Sequence, residues 1–271
     1  MSSDTGQDIY FEKHGEGPPA ILVHGNPATH TFWRPVVDPL SRDRTLHVVD
    51  LPGFGRSPAP EDPSGYAVES IAEKILAFAD REGLERFDLV GHSFGGAVAA
   101  TIAAAMPGRI KTLTLITPVT PDAPPLGRLA SRTRLSTTLC ALWRQAPGAV
   151  RRGIAARGSR LNYGPAYTEE RASEIGHEID RKDILASMCA LMSNLDYVRL
   201  AESYRRLQEN STFPLMLIGA GADRVIPFGQ FLHLRAGLPR AHCTIYPDCS
   251  HVPVWQRPEE VAELVGRFWK G

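Results

Sequence analysis

The feature that most constrains the fold is a short apolar run that leads directly into a glycine-flanked serine. Phe87 to Val90 is typical of a buried strand, and Gly91-His92-Ser93-Phe94-Gly95 fits the pattern G-x-S-x-G. Gly96 to Met106 is almost entirely small or apolar, which is typical of a tightly packed helix. The pattern predicts a strand, a sharp turn with a serine at its apex, and a helix.

The glycines of this turn have a steric role. We expect Ser93 to adopt a strained backbone conformation, and a side chain at Gly91 or Gly95 to clash with neighbouring backbone. The amino terminus of the following helix would direct partial positive charge at an oxyanion formed beside Ser93. The alternative for the pentapeptide alone is a chance Gly/Ser turn, and the flanking strand and helix count against it.

Composition places the chain among ordinary globular proteins. Its 271 residues are 43% hydrophobic and 22% charged, enough to bury a sizeable core. Thirty basic and thirty acidic residues cancel, so net charge predicts no attraction to nucleic acid or to a membrane surface. No apolar run reaches roughly 18 residues, so we expect no membrane span.

The cysteines and the amino-terminal residues bear on the cellular compartment. Residues 1–16 are polar and lack the apolar segment of a secretion signal. The four cysteines are scattered, without a C-x-x-C pair, which favours reduced thiols over a disulfide framework or a zinc site. We therefore expect a cytoplasmic protein. The cysteines are Cys140, Cys189, Cys243 and Cys249.

Strand and helix patterns alternate along most of the chain. This alternation predicts an α/β fold, with a mostly parallel central sheet and helices on both of its faces. The predicted strands cover 9–13, 20–23, 45–49, 87–90, 112–116, 213–218 and 242–246. The predicted helices of this part cover 32–40, 68–81, 96–106, 228–236 and 258–269.

The alternation stops after residue 117. From 118 to 210 we find no buried strand, and the patterns predict helices, among them 169–180 and 184–207. We therefore expect a core over 1–117 and 211–271, with a helical cap inserted over 118–210.

In combination, the motifs resemble those of the α/β-hydrolase fold superfamily, among members with a helical cap. The resemblance covers nearly all of the chain except the cap interior. It implies a serine hydrolase without cofactor or metal, acting on a small-molecule acyl substrate. The motifs are His24-Gly25, Asp50-x-Pro52-Gly53-x-Gly55-x-Ser57, Gly91-x-Ser93-x-Gly95, Asp223 after a strand and His251 before the last helix.

The serine needs a base, and histidine titrates in the required pH range. Of the nine histidines, His251 lies in the loop between the last strand and the last helix. This loop belongs to the carboxyl edge of the sheet, as does Ser93. We expect His251 to be the base, the side chain of His92 to point away from that of Ser93, and His24 to brace a loop.

An acid is needed to orient the histidine. Asp223 follows a strand through a glycine-rich loop, and the order Ser93, Asp223, His251 is that of this fold. One alternative is Asp248, which is more typical of a turn. Another is an acid after the strand 112–116, where the first acid is Asp122. We expect Asp223.

The oxyanion formed during acyl transfer needs two backbone N–H donors. We expect one from Phe94, directly after the serine, and one from Asn26, in the loop after the strand that ends near His24. Asp50 and Arg56 are expected to brace loops.

One loop narrows the range of reactions that the site could carry out. His24-Gly25-Asn26-Pro27, followed by Phe32-Trp33, is similar to a region of haloalkane dehalogenases. Those enzymes and epoxide hydrolases attack with an aspartate, whose alkyl ester water can hydrolyse, whereas an alkylated Ser93 would be an inert ether. Ser93 therefore favours cleavage of an ester, thioester, lactone or amide. The alternatives are hydrolysis of an activated C–C bond, haloperoxidase-like chemistry, and a non-catalytic ligand receptor.

The predicted cap has an uneven charge distribution. Between 126 and 168 there are eight arginines and no acidic residue, whereas 169–183 holds six acids and three bases. This pattern favours a solvated surface that is partly paired with the acidic stretch. The alternative is attraction of an anionic substrate or an acidic carrier.

Overall fold

The computed structural model describes residues 9–122, 145–168 and 182–271. Seven strands form one sheet, in the order β1-β3-β2-β4-β5-β6-β7. All neighbouring pairs are parallel except β1 and β3. The strands are β1 (Phe11–His14), β2 (Pro19–Val23), β3 (Thr45–Val49), β4 (Phe87–His92), β5 (Ile110–Ile116), β6 (Leu215–Ala220) and β7 (His242–Tyr246).

Helices pack on both faces of this sheet, as the alternation predicts. The α-helices of the described residues are α1 (Arg34–Leu40), α2 (Val68–Arg81), α3 (Phe94–Ala105), α4 (Gly148–Tyr163), α5 (Lys182–Ser193), α6 (Tyr197–Asn210), α7 (Phe228–Gly237), α8 (Pro253–Gln256) and α9 (Pro258–Phe268). One face carries α2, α3, α6 and α7, and the other carries α1 and α9.

The central strands are buried on both faces because successive side chains alternate between two cores. In β5, Leu115 belongs to the core beneath α2 and α3, whereas Ile116 belongs to the core beneath α1 and α9. All six residues of β4 are buried, and so are the first ten residues of α3. The serine turn therefore joins two elements that have little freedom to move.

The described residues between β5 and β6 form helices joined by short irregular segments, and they contain no strand. The expected helix over 169–180 lies outside the described residues. The prediction of one helix over 184–207 is wrong, because α5 ends at Ser193 and α6 begins at Tyr197. The carboxylate of Asp196 accepts hydrogen bonds from the N–H groups of Val198 and Arg199. This side chain caps the amino terminus of a new helix. The apolar periodicity continues across the break, so it does not reveal where the new helix begins.

The expectation of reduced thiols is wrong for Cys189. Cys189 is disulfide-bonded, whereas Cys243 and Cys249 are free. The spacing of cysteines along the chain does not indicate which of them lie close together in the fold. Widely separated cysteines therefore do not exclude a disulfide bond.

No helix within the described ranges is long and apolar enough to cross a membrane.

Candidate active site

Neighbouring strands end at the same edge of the sheet, and their register brings the loops that follow them together. Gly91 of β4 pairs with Val23 of β2 on one side and with Leu115 of β5 on the other. Leu115 pairs in turn with Leu217 of β6. The residues that follow these strands therefore surround Ser93, as expected for the carboxyl edge of a parallel sheet.

Ser93 is in a backbone conformation that L-residues rarely adopt. Its φ is 52° and its ψ is −118°. Neighbouring segments hold it there, since its N–H donates to the carbonyl of Ile116 at 3.0 Å. Its own carbonyl accepts from the N–H groups of Gly96 at 2.9 Å and Val119 at 3.0 Å. The strain expected from the sequence is present.

The predicted steric role of the glycines is confirmed. A Cβ on Gly91 would lie 2.3 Å from the carbonyl oxygen of Gly95, and a Cβ on Gly95 would lie 2.3 Å from that of Val23. Gly25 is equally constrained, because its Cβ would approach the Cβ of Ser93 to 2.8 Å. These contacts are to backbone or to the serine itself, so the turn admits no side chain at these positions.

The structure brings Ser93, His251 and Asp223 together. Nε2 of His251 lies 2.8 Å from Oγ of Ser93, and its Nδ1 lies 2.8 Å from Oδ2 of Asp223. The other carboxylate oxygen of Asp223 accepts from the N–H groups of Val225 at 2.7 Å and Ile226 at 2.9 Å. Since Asp223 only accepts, Nδ1–H donates to it and Nε2 is left to accept from the serine hydroxyl.

The two alternative acids lie elsewhere. Asp248 is an exposed side chain paired with Arg257. Asp122 accepts from Nδ1 of His233 at 2.6 Å, on the surface. Neither contacts His251.

The expected oxyanion donors have free N–H groups. Phe94 is the first residue of α3, and Asn26 lies in the loop after β2. In the described part of the chain, neither backbone N–H has a hydrogen-bond acceptor. Oδ1 of Asn26 is also buried without a partner there.

His24 and Asp50 make hydrogen bonds that brace the loop containing Asn26. His24 contacts the carbonyl of Gly25 at 2.8 Å and accepts from the N–H of Leu51 at 3.0 Å. Burial lowers the pKa of His24, which keeps it neutral. Burial works to raise the pKa of Asp50, but hydrogen bonds from His30 and from the Arg56 N–H hold it below its usual value.

Sequence reasoning missed two contacts to His251, made by His92 and by Thr117. The Nε2–H of His92 donates to the backbone carbonyl of His251 at 3.0 Å. The hydroxyl of Thr117 donates to the same carbonyl at 2.9 Å. Burial, together with the neighbouring His251, holds the pKa of His92 well below its ordinary value. No spacing in the sequence signals either contact, because both depend on strand register.

Comparison with known proteins agrees with the α/β fold of this chain. A family model described as the alpha/beta hydrolase family matches residues 20–264. The chain is 25% identical over 266 residues to the pimeloyl-(acyl-carrier protein) methyl ester esterase of Aeromonas salmonicida, covering 96% of this chain and 98% of that protein. It is 28% identical over 263 residues to the 2-hydroxy-6-oxo-2,4-heptadienoate hydrolase of Pseudomonas putida, covering 94% and 90%.

Among solved structures, an alpha/beta hydrolase fold protein from Burkholderia ambifaria superposes with a TM-score of 0.83 at 21% identity. The match covers 96% of this chain and 94% of that chain. The region matched by the family model includes the strained serine turn, Asp223 and His251. The chain therefore belongs to the alpha/beta hydrolase family.

Proposed function

We propose that this protein is a serine hydrolase of carboxylic esters or related acyl compounds, with Ser93 as nucleophile, His251 as base and Asp223 as orienting acid. The observation that carries the proposal is the continuous contact from Ser93 Oγ through His251 to Asp223, both distances being 2.8 Å. Esterase-named relatives of full length support the same class of reaction.

In the first half of the reaction, His251 takes the proton of the Ser93 hydroxyl as Oγ attacks the acyl carbonyl. Asp223 stabilises the imidazolium that forms. The developing oxyanion accepts from the N–H groups of Phe94 and Asn26, which have no other acceptor in the described residues. His251 then returns its proton to the leaving alcohol, and the acyl group remains on Ser93.

In the second half, His251 takes a proton from water, and the hydroxide attacks the acyl carbonyl. The same two N–H groups hold the oxyanion. When the intermediate collapses, the proton on His251 passes to Ser93 Oγ and the acid is released. The free enzyme is regenerated, and no cofactor enters the scheme.

The test is hydrolysis of short p-nitrophenyl esters by the wild type and by Ser93→Ala. Loss of the nucleophile should lower kcat by at least about 10³-fold. A fluorophosphonate should add to the wild type at Ser93 and not to the variant. Equal rates in the two proteins would exclude the proposal. Tight ligand binding without any turnover would instead support a non-catalytic receptor.

The second candidate is hydrolysis of an activated C–C bond, favoured by the likeness to a relative named 2-hydroxy-6-oxo-2,4-heptadienoate hydrolase. A β-diketone and an ester of matched size should be assayed side by side. A kcat/KM that is higher for the diketone, and lost in Ser93→Ala, would favour this alternative over the ester.

We further infer that α4 and α5, which lie between β5 and β6, form a cap above the site. Ser187 of α5 lies 2.8 Å from the hydroxyl of Tyr66, and a Cβ on Gly164 would lie 2.3 Å from Oγ of Ser250, beside His251. We place the end of the cap before Tyr197, because α6 packs directly on α3, the helix that follows Ser93. This is earlier than residue 210, the boundary expected from the sequence.

An acidic carrier or an anionic substrate is the alternative to a solvated surface for the arginine-rich part of the cap. The described helix α4 carries four arginines and no acidic residue. A relative is named as an esterase of an acyl-carrier protein substrate. Exchanging the exposed Arg157 for Glu should slow hydrolysis of a carrier-bound ester and leave the hydrolysis of a short neutral ester unaffected.

A cytoplasmic location of the protein is also a proposal. The disulfide of Cys189 counts against it, because disulfides are rare in the reducing cytosol.

A further inference from the structure

The backbone carbonyl of His251 accepts hydrogen bonds from two side chains that the proposed reaction does not use. Thr117 Oγ1 lies 2.9 Å from this carbonyl, and His92 Nε2 lies 3.0 Å from it. Both donors are buried, with 2% of Thr117 and 4% of His92 exposed. Water therefore does not compete for either contact, and the carbonyl is held from two directions.

The two donors come from the ends of the two strands that flank the serine turn. His92 is the last residue of β4, directly before Ser93, and Thr117 follows the last residue of β5. The His251 loop follows the distant strand β7. Because β4 and β5 pair along their length, with His92 opposite Ile116, these contacts fix the His251 backbone relative to the serine turn.

Thr117 is in a strained conformation, as Ser93 is. Its φ is 40°, and in the described residues only these two non-glycine residues have positive φ. The N–H of Thr117 donates to the carbonyl of Ile218 in β6 at 2.8 Å, which holds the residue in place. A β-branched side chain in this region is unfavourable, so the backbone that aims this hydroxyl at His251 is maintained at a cost in stability.

His92 can serve as a donor only with a proton on Nε2, and a neutral imidazole satisfies that condition. Its ring centroid lies 5.0 Å from that of His251 and 4.3 Å from that of Phe32, on which it stacks. Burial holds the pKa of His92 well below its usual value. His92 therefore adds no positive charge beside the imidazolium that His251 forms during the reaction.

We propose that Thr117 and His92 are positioning residues, which hold the His251 backbone so that its ring meets Ser93 and Asp223 together. The inference rests on the proposed function. The imidazole has two ring contacts of 2.8 Å, and a small rotation of the residue would lengthen one of them. Since proton transfer depends steeply on alignment, loss of a donor should slow the reaction without weakening substrate binding.

The chain offers a matched control for Thr117. Thr114 lies in β5, three residues before Thr117, and is 0% exposed, but its hydroxyl has no hydrogen-bond partner in the described residues. Thr117→Val and Thr114→Val each replace one buried hydroxyl by a methyl group. We expect Thr117→Val to lower kcat and kcat/KM together by about 3- to 10-fold, the equivalent of one hydrogen bond. Thr114→Val should keep the wild-type kcat/KM.

Conservative variants separate positioning from packing. Thr117→Ser keeps the hydroxyl and should restore most of the lost activity, although it loses a methyl group. His92→Phe removes the donor and keeps a ring stacked on Phe32, so we expect a loss similar to that of Thr117→Val. His92→Gln keeps an N–H donor and should be faster than His92→Phe. Rates are expressed per site that reacts with fluorophosphonate, so unfolded protein does not lower the calculated rate.

The result that would overturn the inference is Thr117→Val with the same rate per site as Thr114→Val. Thr117→Ser as slow as Thr117→Val would overturn it as well, because then the methyl group and not the hydroxyl would matter. These outcomes are distinct from failure of the proposed function, in which the wild type shows no hydrolysis that depends on Ser93.

Discussion

Two buried carboxylates at opposite edges of the sheet make nearly the same contact and have different consequences. At the carboxyl edge, Asp223 lies 2.8 Å from Nδ1 of His251. At the amino edge, Asp88 lies 2.9 Å from Nε of Arg44. Both aspartates are buried, with 8% and 1% exposed. Burial and a hydrogen bond from a basic side chain are therefore shared by both aspartates and do not by themselves indicate an active site.

The amino-edge pair is part of a closed network. Arg44 also donates to the carbonyl of Trp269 at 2.7 Å, and its guanidinium lies over the indole ring. The second oxygen of Asp88 accepts from the hydroxyl of Thr112 at 2.8 Å. These contacts join β3, β4, β5 and the end of α9. A guanidinium stays charged at all ordinary pH values, so the network holds elements together and exchanges no proton.

The carboxyl-edge pair differs in three respects. The partner of its aspartate is an imidazole, a group that can accept and return a proton during a reaction. The far side of that imidazole contacts a serine in a strained conformation. Two backbone N–H groups nearby, those of Phe94 and Asn26, have no acceptor in the described residues. Together these features support the proposed catalytic site, whereas a buried aspartate with a basic partner would not by itself.

The largest effect that separates the two edges is expected from Asp223→Asn. The amide keeps the shape of the carboxylate but cannot stabilise the imidazolium, so kcat should fall by about 10³- to 10⁴-fold while the protein stays folded. Asp248→Asn, which alters the exposed alternative acid three residues before His251, should keep the wild-type kcat. Steady-state ester hydrolysis measures both. If Asp248→Asn were the slower variant, the assignment of Asp223 would be wrong.

Much of the fold could be predicted from the sequence because its elements carry strong local signals. The bounds of β3, α2 and β7 are those that the apolar patterns predict. The strained serine turn is equally local, since Gly91 and Gly95 leave room for backbone contacts that any side chain would block.

What could not be predicted depends on contacts between distant residues. The bonds from Thr117 and His92 to the His251 carbonyl follow from strand register, which the sequence does not report residue by residue. The disulfide of Cys189 is of the same kind. The roles of Ser93, Asp223 and His251 stay predictions that the proposed experiments test, although the structure brings the three side chains into contact.

The second-largest effect is a loss of stability, expected from a substitution at the amino edge of the sheet. Asp88→Asn leaves the buried guanidinium of Arg44 without a counter-charge, which should lower the free energy of unfolding by about 3–5 kcal/mol. Urea denaturation measures it. The matched control is Asp80→Asn, which breaks the pair between Arg109 and an aspartate that is 63% exposed, and should cost about 0–1 kcal/mol.

The rate per fluorophosphonate-reactive site should be unchanged in Asp88→Asn. A slower rate per site with unchanged stability would mean that the amino-edge network acts on catalysis, and the contrast between the two edges would fail.

The smallest effect is a difference in pH dependence. Burial lowers the pKa of His92 in the folded protein, whereas in the unfolded chain a histidine titrates near about pH 6.5. As the pH falls through that value, the unfolded chain takes up a proton that the folded His92 does not, so stability is lost on acidification. Between about pH 7 and about pH 5.5 this histidine should account for about 1 kcal/mol. His92→Gln should lose less stability than the wild type by that amount.

His30 should change the stability of the protein with pH in the opposite direction. Its hydrogen bond with Asp50 raises its pKa, so its contribution to stability is present at acid pH and is lost as the pH rises through the folded value. His30→Gln should therefore lose more stability on acidification than the wild type. Urea unfolding of the three proteins at the two pH values checks both signs. Equal losses in all three would show that neither histidine is protonated differently in the folded and unfolded states. In that case the neutral state of His92, on which its role beside His251 depends, would have no support from its burial.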